Sequence, residues 1–248
     1  MTRHHPCASL RQPTTQGTSY TLNLVLIFIQ HKSSNHILQS TLKELFMKIA
    51  LIGASGNAGS RILRELSDRG HTVTGIARDP AKIASLPGVT AVSGDANDGP
   101  ALAKLIAGHD AVVSSVHFLV TDAAVLIAAV KQAGVPRYLV VGGAGSLEVA
   151  PGQRLVDQPN FPEAYKAEAT KGGDFLAALQ DEPTLDWTFL SPSALFVPGE
   201  RTGVFRIGKD ALLANEQGSS ISFEDYAIAL VDEIETPKHS RQRFTVGY

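Results

Sequence analysis

From residue 47 onward, short aliphatic runs alternate with segments in which apolar side chains recur at helical spacing. The runs are nearly continuous, which is typical of parallel strands covered by helices on both faces. The predicted strands are 48–52, 72–77, 89–93, 111–116, 138–142 and 187–190, and the predicted helices are 57–69, 98–107, 121–133, 162–180 and about 222–235. This alternation predicts an α/β fold, a Rossmann-like doubly wound parallel sheet with a small C-terminal substrate-side region.

Two stretches do not follow the strand and helix alternation. Residues 143–161 are rich in glycine, proline and polar side chains, and 192–220 contain prolines, glycines and short strand-like pieces. Both come after strands whose carboxyl ends face the ligand crevice in a doubly wound sheet. We therefore expect these two stretches to form the walls of a substrate pocket within a single domain, 47–248.

The first 46 residues carry a different pattern. Their apolar run, 22–29, is about half of the roughly 20 residues that a membrane helix needs. Met47 stands directly before the first predicted strand, so we interpret 1–46 as an extension outside the fold, disordered or produced by an upstream start. Arginines precede the apolar run as in a signal peptide, but 30–34 match a cleavage site poorly. Cys7 is the only cysteine, and we expect a cytoplasmic protein.

Composition excludes several functional classes. The chain is 44% hydrophobic and 19% charged, with a formal net charge of −2 and both signs scattered along it. Such a distribution has no basic patch for nucleic acid or for an anionic membrane surface. The eight histidines form no Cys/His set at metal-ligand spacing, so we expect no metal site.

A glycine-rich turn follows the first predicted strand and opens the first predicted helix. Glycines in this context let the backbone approach a pyrophosphate and let the helix pack on the strand, while the free N–H groups of the helix face the anion. The sequence therefore predicts a dinucleotide site. Its residues in this turn are Gly53, Ser55, Gly56, Asn57, Ala58 and Gly59.

Arg78 stands at the end of the second predicted strand. NAD-binding domains place an acidic residue there to accept hydrogen bonds from the adenosine ribose. Arginine cannot accept those bonds, but its planar fork suits the 2′-phosphate of NADP. We therefore predict that NADP(H) is preferred over NAD(H). A solvated arginine engaged by the adjacent Asp79 is the alternative.

Other predicted cofactor contacts follow the later strands, where a turn-forming role without ligand is the alternative reading. Residues with small side chains after the fifth strand leave room for a flat ring. The predicted contacts are Asp95, Ser114, Ser115, Val116, Gly143, Ala144, Gly145 and Pro192.

Four segments carry a family resemblance over 47–248. They are 48–56 (KIALIGASG), 140–147 (VVGGAGSL), 185–192 (LDWTFLSP) and 241–248 (RQRFTVGY). The chain resembles an atypical short-chain dehydrogenase of the NADH-flavin reductase group, related to NmrA-like and biliverdin reductase B-like NAD(P)-binding domains. The resemblance implies nicotinamide binding and reduction of a flavin or a quinone.

The chain departs from the typical short-chain dehydrogenase at the proton donor. That enzyme class pairs a tyrosine with a lysine four residues later, whereas Tyr165 is followed at that spacing by Ala169. Tyr165 and His117 are the candidate catalytic residues, each with a purely structural alternative. The candidate substrate contacts are Phe118, Ser146 and Ser193.

The missing lysine bears on the mechanism. Carbonyl reduction needs a proton delivered to oxygen, while hydride transfer to a flavin or quinone ring mainly needs stacked rings at a suitable distance. We therefore expect an NADPH-dependent reductase that acts on a small-molecule acceptor, with flavin as a possible substrate, as a monomer or a homodimer. A non-catalytic NADP(H) sensor of the NmrA type and a carbonyl dehydrogenase or epimerase are the alternatives.

Overall fold

An eight-stranded sheet organises residues 46–248, which are the residues that the computed structural model describes. The predictions for the extension, including the apolar run 22–29 and Cys7, lie outside these residues except at Phe46. In chain order the strands are β1 (Lys48–Ile52), β2 (Thr72–Ala77), β3 (Val89–Ser93), β4 (Ala111–Ser114), β5 (Arg137–Val141), β6 (Glu148–Ala150), β7 (Gln153–Arg154), β8 (Asp186–Pro192), β9 (Leu195–Val197), β10 (Arg206–Gly208), β11 (Ser220–Ser222) and β12 (Gln242–Gly247).

The strand order across the main sheet is β3-β2-β1-β4-β5-β8-β12-β10. All neighbours are parallel except β10, which pairs antiparallel with β12 at the edge. The first six strands of this order match the doubly wound arrangement, so the predicted Rossmann-like fold is confirmed. Two short pairs, β6 with β7 and β9 with β11, lie outside the main sheet.

Helices cover both faces of the sheet. They are α1 (Asn57–Asp68), α2 (Gly99–Ile106), α3 (Ala123–Ala133), α4 (Glu163–Gln180) and α5 (Phe223–Glu235). One core cluster joins α1 and α5 through Ile62, Leu66 and Tyr226. The other contains Leu102 of α2 and Phe175 of α4. Each face of the sheet is thus covered by its own apolar layer, and the carboxyl ends of the strands remain accessible to ligands.

The structure corrects the predicted strands in three respects. β4 ends at Ser114 rather than at 116, because the chain leaves the sheet there. β3 holds no buried residue, so it is not covered on both faces; it lies at the sheet edge. β12 and β10 were not predicted, since polar residues interrupt their apolar pattern.

Candidate functional site

Two adjoining clefts lie at the carboxyl ends of the strands. The narrow cleft, about 230 Å³, runs from the glycine-rich turn past Arg78 to Asp95. The wide cleft, about 780 Å³, runs from the start of α1 past 142–145 to Tyr165. Gly56 and 115–117 line both, so the two clefts meet at this point. A dinucleotide can therefore extend from one cleft into the other.

The glycine-rich turn is packed too tightly to accept side chains. Gly53 has a φ of 82° and donates its N–H to the carbonyl of Ile76 at 2.8 Å. A Cβ on Gly53 would lie 2.0 Å from the carbonyl oxygen of Ser115, and one on Gly59 would lie 2.1 Å from the oxygen of Gly53. Both positions thus require glycine, for the turn and for the close approach of helix to strand.

The first turn of α1 presents unused N–H groups to the meeting point of the clefts. Ser60 N donates to the carbonyl of Gly56 at 2.9 Å, which closes the first helical turn. Among residues 46–248, the N–H groups of Asn57, Ala58 and Gly59 have no acceptor, and Gly56 supplies no side-chain cap. Such a helix start binds anions through its N–H groups and its dipole, which fits a dinucleotide pyrophosphate.

Arg78 lines the narrow cleft and is available to a ligand. The carboxylate of Asp79, the expected competitor, accepts from the N–H of Ala81 at 3.1 Å and lies 3.6 Å from the ammonium of Lys82. Within the described part of the chain, the Arg78 guanidinium forms no ion pair. Its fork therefore remains free to bind a phosphate at this cleft.

The other predicted contacts of the narrow cleft are only partly brought together. Asp95 lines it, with one carboxylate oxygen accepting from Asn97 N at 2.9 Å, and Ser115 and Val116 line it as well. Ser114 does not line either cleft. Its hydroxyl lies 2.9 Å from the hydroxyl of Tyr138, because the side chain of Ser114 points into the core.

The wide cleft gathers residues from both irregular stretches. From the first come 143–145 with Asn160 and Phe161, and from the second come 192–196 and Ser219. Gly143, Ala144, Gly145 and Pro192 all line it as predicted for the cofactor. Gly145 packs closely on α4, since a Cβ there would lie 2.7 Å from that of Ala169. Residues 143–145 carry no side chain larger than the methyl group of Ala144, so a flat ring can approach this floor.

The three predicted substrate contacts have structural partners. The buried ring of Phe118 packs against Phe175 and Phe189, at centroid distances of 5.5 and 6.2 Å. Ser193 lines the wide cleft, yet its buried hydroxyl donates to the carbonyl of Val246 at 3.1 Å. Ser146 lies outside both clefts and accepts from the guanidinium of Arg243 at 3.2 Å. Phe118 and Ser193 line the wide cleft and Ser146 does not, so the first two stay predicted substrate contacts.

Tyr165 stands on the rim of the wide cleft and is 67% exposed. Ala169, in the position of the usual lysine, packs against the glycine floor instead. Lys166 is 4.0 Å from the carboxylate of Glu163, and Lys171 donates to Asp174 at 3.2 Å. Among the described residues, no lysine lines the wide cleft. Tyr165 therefore has no lysine beside it in the described lining of the wide cleft.

His117 lies where the two clefts meet, and its side chain is 85% exposed. Its Nδ1 is 3.3 Å from Oε1 of Glu168. The same carboxylate accepts hydrogen bonds from the N–H groups of Phe118 at 2.8 Å and Leu119 at 2.9 Å. Glu168 therefore fixes the loop that follows β4.

Sequence reasoning missed Glu168 as a site residue. Helical spacing on α4 places Tyr165, Glu168 and Gly172 near one face, and this periodicity was the available signal.

The loop 200–203 is held to α1 by an ion pair. Arg201 donates two hydrogen bonds of 2.8 Å to Glu65. Burial would raise the pKa of Glu65, but the hydrogen bonds from Arg201 and Arg69 outweigh it and lower that pKa.

In residues 46–248, no group of three or more His, Cys, Asp or Glu side chains is arranged to hold a metal ion. None of the helices in this part of the chain has the length and apolar character to cross a bilayer.

The fold, the glycine-rich turn and the helix start together define a Rossmann-type NAD(P)-binding protein. The chain belongs to the NAD(P)H-binding family, whose model matches residues 53–237. The predicted kinship with atypical short-chain dehydrogenases of the NADH-flavin reductase group is thereby confirmed.

Three relatives illustrate this kinship. The protein YwnB of Bacillus subtilis is 44% identical over 211 residues, covering 81% of this chain and 98% of its own. A structure of a "putative exported protein" from Burkholderia pseudomallei is 47% identical, covers 82% of this chain and 100% of its own, and has a TM-score of 0.74. A "putative NADH-flavin reductase" from Streptococcus pneumoniae is 36% identical, with coverages of 81% and 99% and a TM-score of 0.71. The expected cytoplasmic location stays a prediction.

Proposed function

We propose that this protein transfers a hydride from NADPH to a flavin or quinone-like acceptor bound in the wide cleft. The observation that carries the proposal is the floor of that cleft, 142–145, which has no side chain larger than a methyl group and lies beside a rim tyrosine whose usual lysine partner is replaced by Ala169. A flat ring can lie on such a floor. The similarity of this chain to the "putative NADH-flavin reductase" from Streptococcus pneumoniae points in the same direction.

The chain's own groups would bind and orient the cofactor. The N–H groups at the start of α1 would hold the pyrophosphate, and the Arg78 guanidinium would hold the 2′-phosphate in the narrow cleft. Gly53 and Gly59 leave the space that this approach requires. When bound, NADPH supplies the hydride, and the protein supplies stacking geometry and exclusion of water.

The acceptor would be reduced by one hydride, which carries both electrons, and would take up one proton from solvent at the exposed cleft rim. Neither Tyr165 nor His117 is obligatory for this chemistry, since both side chains face solvent. A carbonyl substrate would instead demand a fixed proton donor near its oxygen. The arrangement around Tyr165 therefore supports ring reduction over carbonyl reduction.

The test is an NADPH oxidation assay with the purified full chain. Flavins, quinones and small carbonyl compounds are supplied in turn as acceptors, and the loss of NADPH is monitored by its absorbance. We expect turnover with flavins or quinones and little with carbonyls. Turnover of carbonyls alone would overturn the proposal in favour of a dehydrogenase. NADPH binding without turnover of any acceptor would favour a nucleotide sensor.

A further inference from the structure

We infer that the acceptor taken by the wide cleft is uncharged, such as a riboflavin-type ring or an unsubstituted quinone, rather than a phosphorylated flavin. The inference rests on the proposed function and deepens it by naming the substrate class. It follows from the distribution of charge around the two clefts.

The permanent charge that the wide cleft holds is negative. It is the carboxylate of Glu168, which lines the cleft below the rim. Among the described lining residues, the side chain that could carry a positive charge is His117, and its Nδ1 lies 3.3 Å from that same carboxylate. Any charge on His117 is therefore matched by Glu168 before an acceptor arrives.

Two arginines beside the cleft are engaged elsewhere. Arg154, adjacent to the lining residue Leu155, donates to both carboxylate oxygens of Asp157 at 2.7 and 3.1 Å. Arg243 donates to Asp210 at 2.7 Å through its Nε. In the described chain, no lysine or arginine lines the wide cleft. A phosphate placed there would lose hydration and gain no paired cation.

Anion-binding groups lie in the narrow cleft and at the meeting point of the two clefts. The Arg78 guanidinium lines the narrow cleft, and the unused N–H groups of α1 lie at the end of the wide cleft that joins it, where the cofactor pyrophosphate would occupy them. The remaining lining of the wide cleft is largely apolar, with Phe161, Leu195 and Phe196 among its walls. This division gives phosphate recognition to the cofactor and leaves an apolar, neutral space to the acceptor.

Riboflavin and FMN test the inference directly, because they share the reacting ring and differ in one phosphate. With NADPH as donor, we expect kcat/KM for riboflavin to exceed that for FMN at least about tenfold, the effect of one unpaired charge-assisted contact. Binding of both flavins to the protein loaded with NADP⁺ is measured separately by quenching of flavin fluorescence, so the result does not depend on turnover. Equal or stronger binding and turnover of FMN would overturn the inference while leaving the proposed function standing, and failure of riboflavin to bind would also overturn it.

A gain-of-charge variant sharpens the test. Asn160 is an exposed residue of the rim, and Asn160→Lys places a cation within reach of a flavin phosphate. We expect this variant to lower the riboflavin to FMN ratio, and the effect to weaken as salt is raised. Asn160→Gln, which adds length without charge, is the matched control and should keep the ratio of the unmodified protein. An unchanged ratio in Asn160→Lys would count against the charge argument.

Discussion

The N–H of Phe118 donates a 2.8 Å hydrogen bond to the carboxylate of Glu168, which ties the loop after β4 to the middle of α4. The second carboxylate oxygen binds the next N–H along, that of Leu119. The loop lines both clefts through His117. Glu168 is therefore a positioning residue, and it sets the wall against which a nicotinamide and its acceptor would be held.

We predict that Glu168→Gln raises KM for the acceptor about three- to tenfold with a smaller change in kcat, because the amide can accept only one of the two N–H bonds and loses the charge that strengthens them. The measurement is steady-state kinetics with NADPH saturating. Glu163→Gln, at an exposed position on the same helix, is the control. Kinetics of Glu168→Gln that match those of the control would show that the carboxylate does not position the loop.

The Arg78 guanidinium lines the narrow cleft without an ion pair among the described residues, so its removal should affect the 2′-phosphate alone. Arg78→Glu is expected to weaken NADPH binding about ten- to a hundredfold, the size of one charge-assisted bond, and to leave NADH nearly unaffected. Titration of both cofactors by fluorescence gives the ratio. Lys82→Glu reverses a charge in the same loop outside the cleft and should preserve the ratio. Equal affinities of the unmodified protein for NADPH and NADH would show that Arg78 does not bind the 2′-phosphate.

Gly59, the glycine of α1, packs directly against the glycine-rich turn. Gly59→Ala would drive a Cβ to 2.1 Å from the carbonyl oxygen of Gly53, so the turn must move away from its ligand. We expect NADPH affinity to fall at least about tenfold, since the backbone contacts to the pyrophosphate depend on that turn. The assay is direct titration of NADPH.

Gly173→Ala is the matched helical control for this change. A Cβ there meets its nearest neighbour, Ser146, at 3.9 Å, which is ordinary contact. Alanine in a helix interior is favoured over glycine by about 0.5–1 kcal/mol, so this variant should melt slightly higher and bind NADPH normally. A normal affinity in Gly59→Ala would show that the turn tolerates displacement.

Glu182 links α3 to the loop before β8. Its carboxylate accepts from the Thr184 hydroxyl and N–H at 2.6 and 2.8 Å and from Lys131 at 2.9 Å. The hydrogen bonds from Thr184, followed by those from Lys131, lower the pKa of Glu182 from its ordinary 4.5 to about 2. Because the folded state favours the ionised form, the stabilisation is complete above the ordinary pKa and is lost as pH falls towards about 2.

Glu182→Gln should therefore lower the free energy of unfolding by about 2 kcal/mol at pH 7, the size of a hydrogen bond to a charged group. The difference from the unmodified protein should shrink as pH falls from 4.5 towards 2. Urea unfolding at a series of pH values measures it. Asp181→Asn, an exposed neighbour, should show little difference at any pH. A Glu182→Gln difference independent of pH would rule out the ionised carboxylate as its source.

Local pattern was sufficient for the parallel sheet but not for its last strands. After their first residue, β1 and β5 are continuous apolar runs, so the pattern identified them. β12 carries Gln242, Arg243 and Thr245 among its apolar residues. It forms by pairing with β8, which is distant in the sequence, so the local pattern does not predict it. β10 is a three-residue edge strand that exists because β12 is there.

The site divides in the same way. Gly53, Gly56 and Gly59 act through backbone geometry that follows from the strand, turn and helix order, so the sequence predicts their place. The direction of a strand-end side chain is decided by packing, and Ser114 bonds Tyr138 in the core for that reason. Glu168 lies 50 residues from Phe118 in the chain, so their contact could not be read from spacing alone.

Tyr165 provides the sharpest test of mechanism, because a dehydrogenase would need its hydroxyl and ring reduction would not. Tyr165→Phe keeps the ring on the rim, where the side chain is 67% exposed, and removes only the hydroxyl. A general acid commonly contributes about 10²–10⁴-fold to turnover. For hydride transfer between stacked rings we expect kcat to fall less than about tenfold, which is under about 1.4 kcal/mol of barrier.

The measurement is kcat with the best acceptor of the screen, with NADPH affinity titrated separately so that weakened cofactor binding is not read as lost chemistry. His117→Gln, made in parallel, asks the same of the other exposed ionisable group at the cleft junction, and it too should retain most of the turnover. A hundredfold fall in kcat for Tyr165→Phe with intact NADPH binding would make Tyr165 a proton donor that works without a lysine, and the proposed reaction would have to be replaced by carbonyl reduction.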